Sequence, residues 1–293
     1  MPADASMRCP VCGGGLRIGL QPWHRSCPEC SLECSTLTPS INENDGNVAK
    51  EEFCGSLASL RRRNFILLCD QLAAMTPLRG KHLLEVGCAL GWFLDEAQQR
   101  SLECLGIEAD VTLGAHARKL GHQVLEGFFP ECLNAAGVRG QKFDLIVFND
   151  VFEHLPDMNQ AMAVCRDYLA QGGLLVINLP ATTGFLYRVS KLLCYMGRPA
   201  SFERMWQKGF PSPHLAYFNA RTLGQLAHKY GLHRQKSFTL PSVAYRGLWQ
   251  RIGIDRRISL LSRLASFLAL AALVPALALL PHDIEVHVFG PAG

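Results

Sequence analysis

The stretch His82-Leu83-Leu84-Glu85-Val86-Gly87-Cys88-Ala89-Leu90-Gly91-Trp92 decides how this chain folds. A short apolar run ends in a turn with two glycines, and a helix-compatible segment, Trp92 to Arg100, follows. Gly87 and Gly91 let the backbone reverse sharply and approach a ligand closely. Working outward, strands are expected at Glu103–Glu108, His122–Leu125, Phe143–Phe148 and Gly173–Leu179, with helices at Val111–Leu120 and Met158–Leu169 between them. Phe143–Phe148 is apolar after Asp144, the mark of a strand buried on both faces. Repeated strand–helix units at this spacing predict an α/β fold with a doubly wound, mainly parallel sheet.

Such Rossmann-like sheets bind ligands at the carboxyl ends of their strands, where the strand order reverses. Glu108 ends the second strand, 21 residues after Gly87, where a carboxylate can accept both hydroxyls of a ribose. A dinucleotide fingerprint needs a small residue five positions after the first glycine, and here that position is Trp92. The turn instead reads acid-x-Gly-x-small-x-Gly, led by Glu85.

This pattern resembles motif I of class I S-adenosylmethionine methyltransferases. The resemblance continues through Phe143-Asp144-Leu145-Ile146-Val147-Phe148-Asn149-Asp150-Val151-Phe152-Glu153-His154-Leu155-Pro156-Asp157, which is similar to the segment after strand four in the ubiquinone-biosynthesis O-methyltransferase-like subfamily. Gly172 to Pro180 looks like the fifth strand of that subfamily, and His214 to Leu223 resembles a stretch of bacterial members that carry an N-terminal zinc ribbon. The resemblance implies S-adenosyl-L-methionine as cofactor and a seven-stranded sheet whose last strand is antiparallel, beside the fifth. It assigns Glu85 to the loop and the methionine ammonium, and sets Gly87, Cys88, Ala89 and Gly91 beneath the ligand. Glu108 is expected on the ribose, Phe128 near the adenine, and Asn149 on the methionine portion or as a cap of its own turn. Ala89 stands where the family has its middle glycine, adding a methyl under the ligand.

Methyl transfer needs alignment more than acid–base machinery, but an oxygen or nitrogen acceptor must lose a proton. His154, just past strand four, and His214, after Pro211-Ser212-Pro213, are the candidate bases. Each also reads as a structural histidine, one starting a helix and one stapling a loop. Residues 181–213 are aromatic and basic, as expected of a lid over the acceptor or of an ordinary packing excursion.

At the N-terminus Cys9, Cys12, Cys27 and Cys30 form two Cys-x2-Cys pairs with 14 residues between them. Two such turns complete a tetrahedron around Zn2+, and four thiolates leave no open position, so the expected role is structural. Gly13-Gly14-Gly15 would supply the positive φ angles of the knuckle. The organisation expected is a ribbon over 1–38, a linker and N-terminal helices over 39–80 with a helix at Arg61–Met75, and the methyltransferase domain over 81–293. Met1 to Cys9 lacks an apolar leader and most other cysteines lie in apolar runs, so a reducing, cytoplasmic setting is expected. The net charge of +4 lacks the clustered basic footprint of a nucleic-acid binder.

Ile258 to Leu280 is almost continuously apolar, broken by Ser259, Ser262, Arg263, Ser266 and Pro275. The alternating Asp283–Phe289 that follows reads as a strand, and another is expected at Gln235–Leu240. A spanning helix between two strands of one sheet would part them across a membrane. The expectation is a helical insertion over about 244–281, either packed on the domain or in peripheral membrane contact, with Arg246, Arg251, Arg256, Arg257 and Arg263 beside it. The sequence thus points to methylation, most simply of an oxygen, on a small-molecule, glycan or lipid-linked acceptor. A second reading, from another class, is a zinc-ribbon interaction protein whose fold binds cofactor without turnover.

Overall fold

The computed structural model describes residues 7–42, 47–134, 138–243, 248–253, 259–277 and 279–291. The chain opens with β1 (Arg17–Ile18), β2 (His24–Ser26) and β3 (Glu33–Ser35), small antiparallel strands around the paired cysteines. Helix α1 (Asn47–Ala73) follows and begins well before the expected Arg61. Ala49, Lys50, Glu51 and Glu52 have high intrinsic helix propensity, which a search for an apolar stripe does not register. Its second half turns Phe65, Leu68, Cys69 and Leu72 into the core. Burial of a large apolar side chain is worth roughly 1.5–3 kcal/mol, so this face anchors the helix against the sheet.

The main domain then alternates as read: β4 (His82–Val86), α2 (Trp92–Gln99), β5 (Glu103–Glu108), α3 (Val111–Lys119), β6 (Val124–Glu126), β7 (Phe143–Asn149), α4 (Met158–Tyr168) and β8 (Leu169–Pro180). Beyond β8 come α5 (Phe185–Tyr195), α6 (Ala200–Met205), β9 (Ala216–Tyr217), α7 (Ala220–His228), β10 (Leu232–Leu240), α8 (Leu248–Gly253), α9 (Leu260–Leu277) and β11 (Ile284–Pro291). The seven-stranded sheet has the order β10-β11-β8-β7-β4-β5-β6, with β11 antiparallel to both neighbours. β4 pairs in parallel with β5 on one side and β7 on the other, so the chain reverses direction across the sheet at β4. That is the switch point at which open α/β sheets bind ligands.

His122 lies ahead of its strand rather than in it: β6 starts at Val124, and the buried His122 imidazole bonds Asp95 Oδ1 at 3.0 Å. The stretch expected as a lid folds as α5 and α6 and packs its aromatic side on the ribbon. Tyr187, Phe202 and Trp206 are buried together with Trp23 and Leu20. The two-residue β9 pairs with β3, so the ribbon's sheet is completed by a strand from the far end of the chain.

The apolar insertion forms a helical hairpin. Arg263 stacks 4.2 Å over the Trp249 ring and donates to the Trp249 carbonyl, tying α9 to α8. Packing of α9 into the core is not what the structure shows: Leu260, Leu261, Leu264 and Leu268 are all exposed. Among the described residues no helix is long and apolar enough to cross a membrane. The ends of the excursion, Leu240 and Ile284, are register partners in adjacent strands. Replacing residues 259–279 with a short Gly/Ser turn should therefore lower Tm by only a few degrees in differential scanning calorimetry. Loss of cooperative unfolding would show that α9 belongs to the core.

Candidate active site

The turn after β4 is set by backbone conformation. Gly87 has φ +74°, and a Cβ there would lie 2.4 Å from the Val151 side chain. Gly91 has φ +79°, and a Cβ there would meet His122 at 2.6 Å. Ala89 takes φ +46° although it carries a Cβ; the left-handed region costs an alanine roughly 1–2 kcal/mol. Glu108 holds it there. Glu108 Oε2 accepts from the Ala89 N–H at 2.7 Å and Oε1 from the Asp110 N–H at 2.8 Å, fixing the tip of β5 to the turn. The buried Glu108 carboxylate keeps a second lone pair on each oxygen for a further donor.

Glu85 lies at the carboxyl end of β4, 2% exposed, at the base of a narrow cleft that Gly87, Cys88, Ala89 and Asn149 also line. Asn149 donates to Glu85 Oε1 at 2.9 Å, while Glu85 Oε2 has no partner among the described residues. Burial, with the nearby Glu108 charge adding to it, pushes the Glu85 carboxyl up to about 8. An orphaned, largely protonated carboxyl at a strand tip fits a cationic ligand group, which restores the charge that burial disfavours. Phe128 is not part of this cleft. It is 53% exposed, and its neighbour Phe129 turns inward against Phe148 instead.

The second space abuts the first, and Arg61 of α1 lines both. It holds about 490 Å3, within the roughly 300–1,000 Å3 of small-molecule sites. Leu186, Val189 and Leu193 of α5 make one wall apolar, while Asp150, Glu153 and His214 supply its acid–base groups. Glu153, 1% exposed, has both carboxylate oxygens without a hydrogen-bond partner among the described residues, and burial together with the Asp150 charge raises it well above the usual carboxylate range. The Nε2 atoms of His154 and His214 each lie 3.9 Å from Glu153 Oε1, too far for a direct hydrogen bond. Burial lowers both imidazoles, His154 to about 4, so both are neutral near pH 7.

The two histidines differ in what they can reach. His214 faces the cavity, its Nε2 against the Gln207 amide at 2.9 Å and its Nδ1 unpartnered. His154 does not line the cavity; its Nδ1 bonds the Pro213 carbonyl at 2.8 Å and its ring backs His214 at 4.6 Å. Glu153, His154 and His214 present ligand atoms within 4.8 Å of one another, close enough to share one divalent cation. The sequence reading missed Arg61, Asp150 and Glu153. For Glu153 the available signal was an acid beside a histidine just past a buried strand.

The segment from His214 to Phe218 joins this cavity to the ribbon. Ser35 of β3 donates to the His214 carbonyl through Oγ and to the Leu215 carbonyl through its N–H, and the Leu215 N–H donates to the Glu153 carbonyl. Glu33 of the same strand accepts from the Tyr187 hydroxyl at 2.8 Å, His24 at 2.9 Å and Lys191 at 2.6 Å. Tyr187 in turn stacks on Tyr217 at 4.3 Å.

In the ribbon, Cys9 Sγ and Cys30 Sγ are 3.5 Å apart and Cys12 Sγ and Cys27 Sγ 3.4 Å, all four within 4.8 Å. A tetrahedral zinc with bonds of about 2.3 Å sets its sulfurs about 3.8 Å apart, so the four thiolates fit that ion. Only one of the three consecutive glycines has positive φ, Gly13 at +79°; its counterpart in the second knuckle is Ser31 at +66°. The N–H groups of both bond the carbonyls of Cys9 and Cys27.

Residues 60–235 match a family model described as a methyltransferase domain, and the chain belongs to that family. The ubiquinone biosynthesis O-methyltransferase of Chelativorans sp. is 27% identical over 108 residues, 36% of this chain and 42% of that protein. The same enzyme of Sinorhizobium fredii is 27% identical over 116 residues, 38% and 47% of the two chains. The matched stretch thus spans less than half the length of these relatives. Magnesium protoporphyrin IX methyltransferase from Synechocystis, solved with bound SAH, has the same fold, with a TM-score of 0.55 at 9% identity over 84% of this chain and 94% of that one. The cyclopropane synthase MmaA2 of Mycobacterium tuberculosis gives 0.52 at 16% identity, covering 87% and 89%.

The raised Glu85 predicts proton release on ligand binding. Below about pH 8 a cationic amino group beside Oε2 converts the neutral carboxyl to carboxylate. Calorimetric titration with S-adenosylhomocysteine at pH 7 should therefore show an enthalpy that varies with the buffer's ionisation enthalpy. The Glu85→Gln variant should bind at least about tenfold more weakly and show no such variation.

Proposed function

We propose that the chain is an S-adenosylmethionine-dependent methyltransferase acting on an oxygen of a small-molecule, glycan or lipid-linked acceptor. The observation that carries this reading is the abutment of two sites across Arg61: a cleft with an orphaned carboxylate, and a cavity with a buried, unpartnered acid–base cluster. Glu85 takes the ammonium of the cofactor, Glu108 the ribose, and the turn from Gly87 to Gly91 passes beneath it. The cofactor supplies an already activated methyl when bound, so the protein's task is to align the acceptor and remove its proton. Asn149 orients Glu85, and Arg61 balances Asp150 at 3.5 Å, between the two sites.

Glu153 is the proton acceptor in this reading. A carboxyl raised by burial is a stronger base once ionised, and base strength near the working pH favours proton transfer. An acceptor hydroxyl donates to Glu153, and the neutral His214 imidazole 3.9 Å away orients it once the hydroxyl displaces the Gln207 amide from Nε2. His154 keeps Pro213 and the His214 ring in place. The sign follows from the direction of the shift: Glu153 is protonated and idle at low pH, and kcat/KM rises with pH as it ionises. The Glu153→Gln variant should lose about 10²–10⁴-fold in kcat while its affinity for S-adenosylhomocysteine is unchanged. Methyl transfer from labelled S-adenosylmethionine to polyphenol and lipid-phenol acceptors reads this out; an unimpaired Glu153→Gln would refute the assignment.

We further propose that the four cysteines hold one structural Zn2+. The ribbon strands are two or three residues long, too short to fold on burial alone, so metal binding and local folding are coupled. Elemental analysis should find zinc near one equivalent per chain, and Cys12→Ser should abolish it. Because β3 carries the Ser35 and Glu33 contacts, zinc loss should also lower Tm.

A further inference from the structure

The excursion between β10 and β11 is the largest departure from ordinary burial in the molecule. Leu261 is 80% and Leu279 90% exposed, and Leu260, Leu264 and Leu268 join them on or beside α9. A monomeric soluble surface rarely carries so continuous an apolar patch without a partner. The sequence from Ala244 to Pro281 contains five arginines against one acid, Asp255, and no charged residue after Arg263. Cationic groups cluster at the start of the excursion and hydrocarbon follows, the division that an anionic headgroup layer over acyl chains accommodates. The 18-residue α9 is about 27 Å long, yet the excursion that carries it starts and ends at partnered residues of one sheet, Leu240 and Ile284. It can lie in the interface but cannot cross.

The excursion also leaves from a particular place. Ser242 and Val243 at its start and Asp283 and Ile284 at its end line the acceptor cavity, and Asp283 accepts from the Tyr187 N–H at 3.1 Å, beside the apolar α5 wall. We propose that α9 docks the protein on an anionic bilayer surface, with the cavity mouth at the membrane, and that the acceptor is a lipid-embedded molecule whose oxygen enters from there. The docking stands on the exposed leucines of α9 and on the arginines that precede it in the sequence. The choice of a lipid-embedded acceptor rests on the methyltransferase reading above.

The test is flotation of the full chain with phosphatidylcholine vesicles, with and without phosphatidylglycerol. The protein should float with the anionic vesicles and remain below with the neutral ones. The variant Leu261→Asp/Leu264→Asp/Leu268→Asp should stay below with both, and Arg256→Gln/Arg257→Gln should weaken binding about fivefold per arginine. Should the aspartate variant misfold, the chain with residues 259–279 replaced by a Gly/Ser turn serves the same purpose. Affinity for S-adenosylhomocysteine, measured without vesicles, should be unchanged in all of them, so failure of docking is distinguishable from failure of the cofactor site. A wild-type chain that floats with neither vesicle overturns the proposal. So does a wild-type dimer that the leucine substitutions dissociate, because a second copy then covers the helix.

Discussion

A carboxylate buried at the tip of β4 with one oxygen unpaired is the constraint on which the rest of the structure depends. Glu85 is 2% exposed, and its Oε2 has no donor to accept from among the described residues. Leaving a buried polar group unsatisfied costs about 1–3 kcal/mol, more for a charged one. The neighbourhood is arranged to make that state tolerable and then useful. Asn149 from the adjacent strand satisfies the other oxygen, and Asn178 of β8 bonds Asn149 in turn at 3.4 Å. Three parallel strands thus deliver a short polar chain to the switch point of an otherwise apolar sheet. The turn that follows is closed by Glu108, so the two acids differ in what they hold: Glu85 keeps one oxygen unpartnered among the described residues, and Glu108 accepts from the backbone at Ala89 and Asp110.

The acceptor side is built on a different plan. Its acid–base groups stand on the turn after β7 and on the segment before α7, and that segment is fastened to the ribbon by β3 and to the β7 turn by the Leu215–Glu153 bond. The ribbon therefore braces the cavity from outside, through residues that do line it such as His214, Tyr187 and Tyr217. Glu33 is held ionised by His24 and Lys191, against burial that would neutralise it, and fixes Tyr187 over Tyr217. The ribbon of the four cysteines thereby fixes Tyr187 and Tyr217, two residues that line the cavity.

Much of this was legible in the sequence, for physical reasons. β4 and β7 are buried on both faces, so short, mainly apolar runs betrayed them, and Trp92 excluded a pyrophosphate site by size alone. The paired cysteines announce themselves by spacing. Other features depend on contacts between distant residues. β9 is two residues long and is a strand only because β3 lies beside it. The start of α1 rests on propensity without an apolar face. Phe128 and Phe129 are chemically alike, and only the packing against Phe148 decides which turns inward. Glu153 reads as a solvated acid until the fold buries it, whereas His154 and His214 drew attention by residue type although only one of them reaches the cavity.

The central claim is that the turn after β4 holds an adenosyl amino-acid cofactor rather than a dinucleotide. Isothermal titration of the purified chain with S-adenosylhomocysteine and, separately, with NAD tests it most directly. The account predicts micromolar binding of S-adenosylhomocysteine with a stoichiometry near unity and no measurable heat with NAD. Binding of NAD, or silence toward S-adenosylhomocysteine in a chain that unfolds cooperatively, would contradict it.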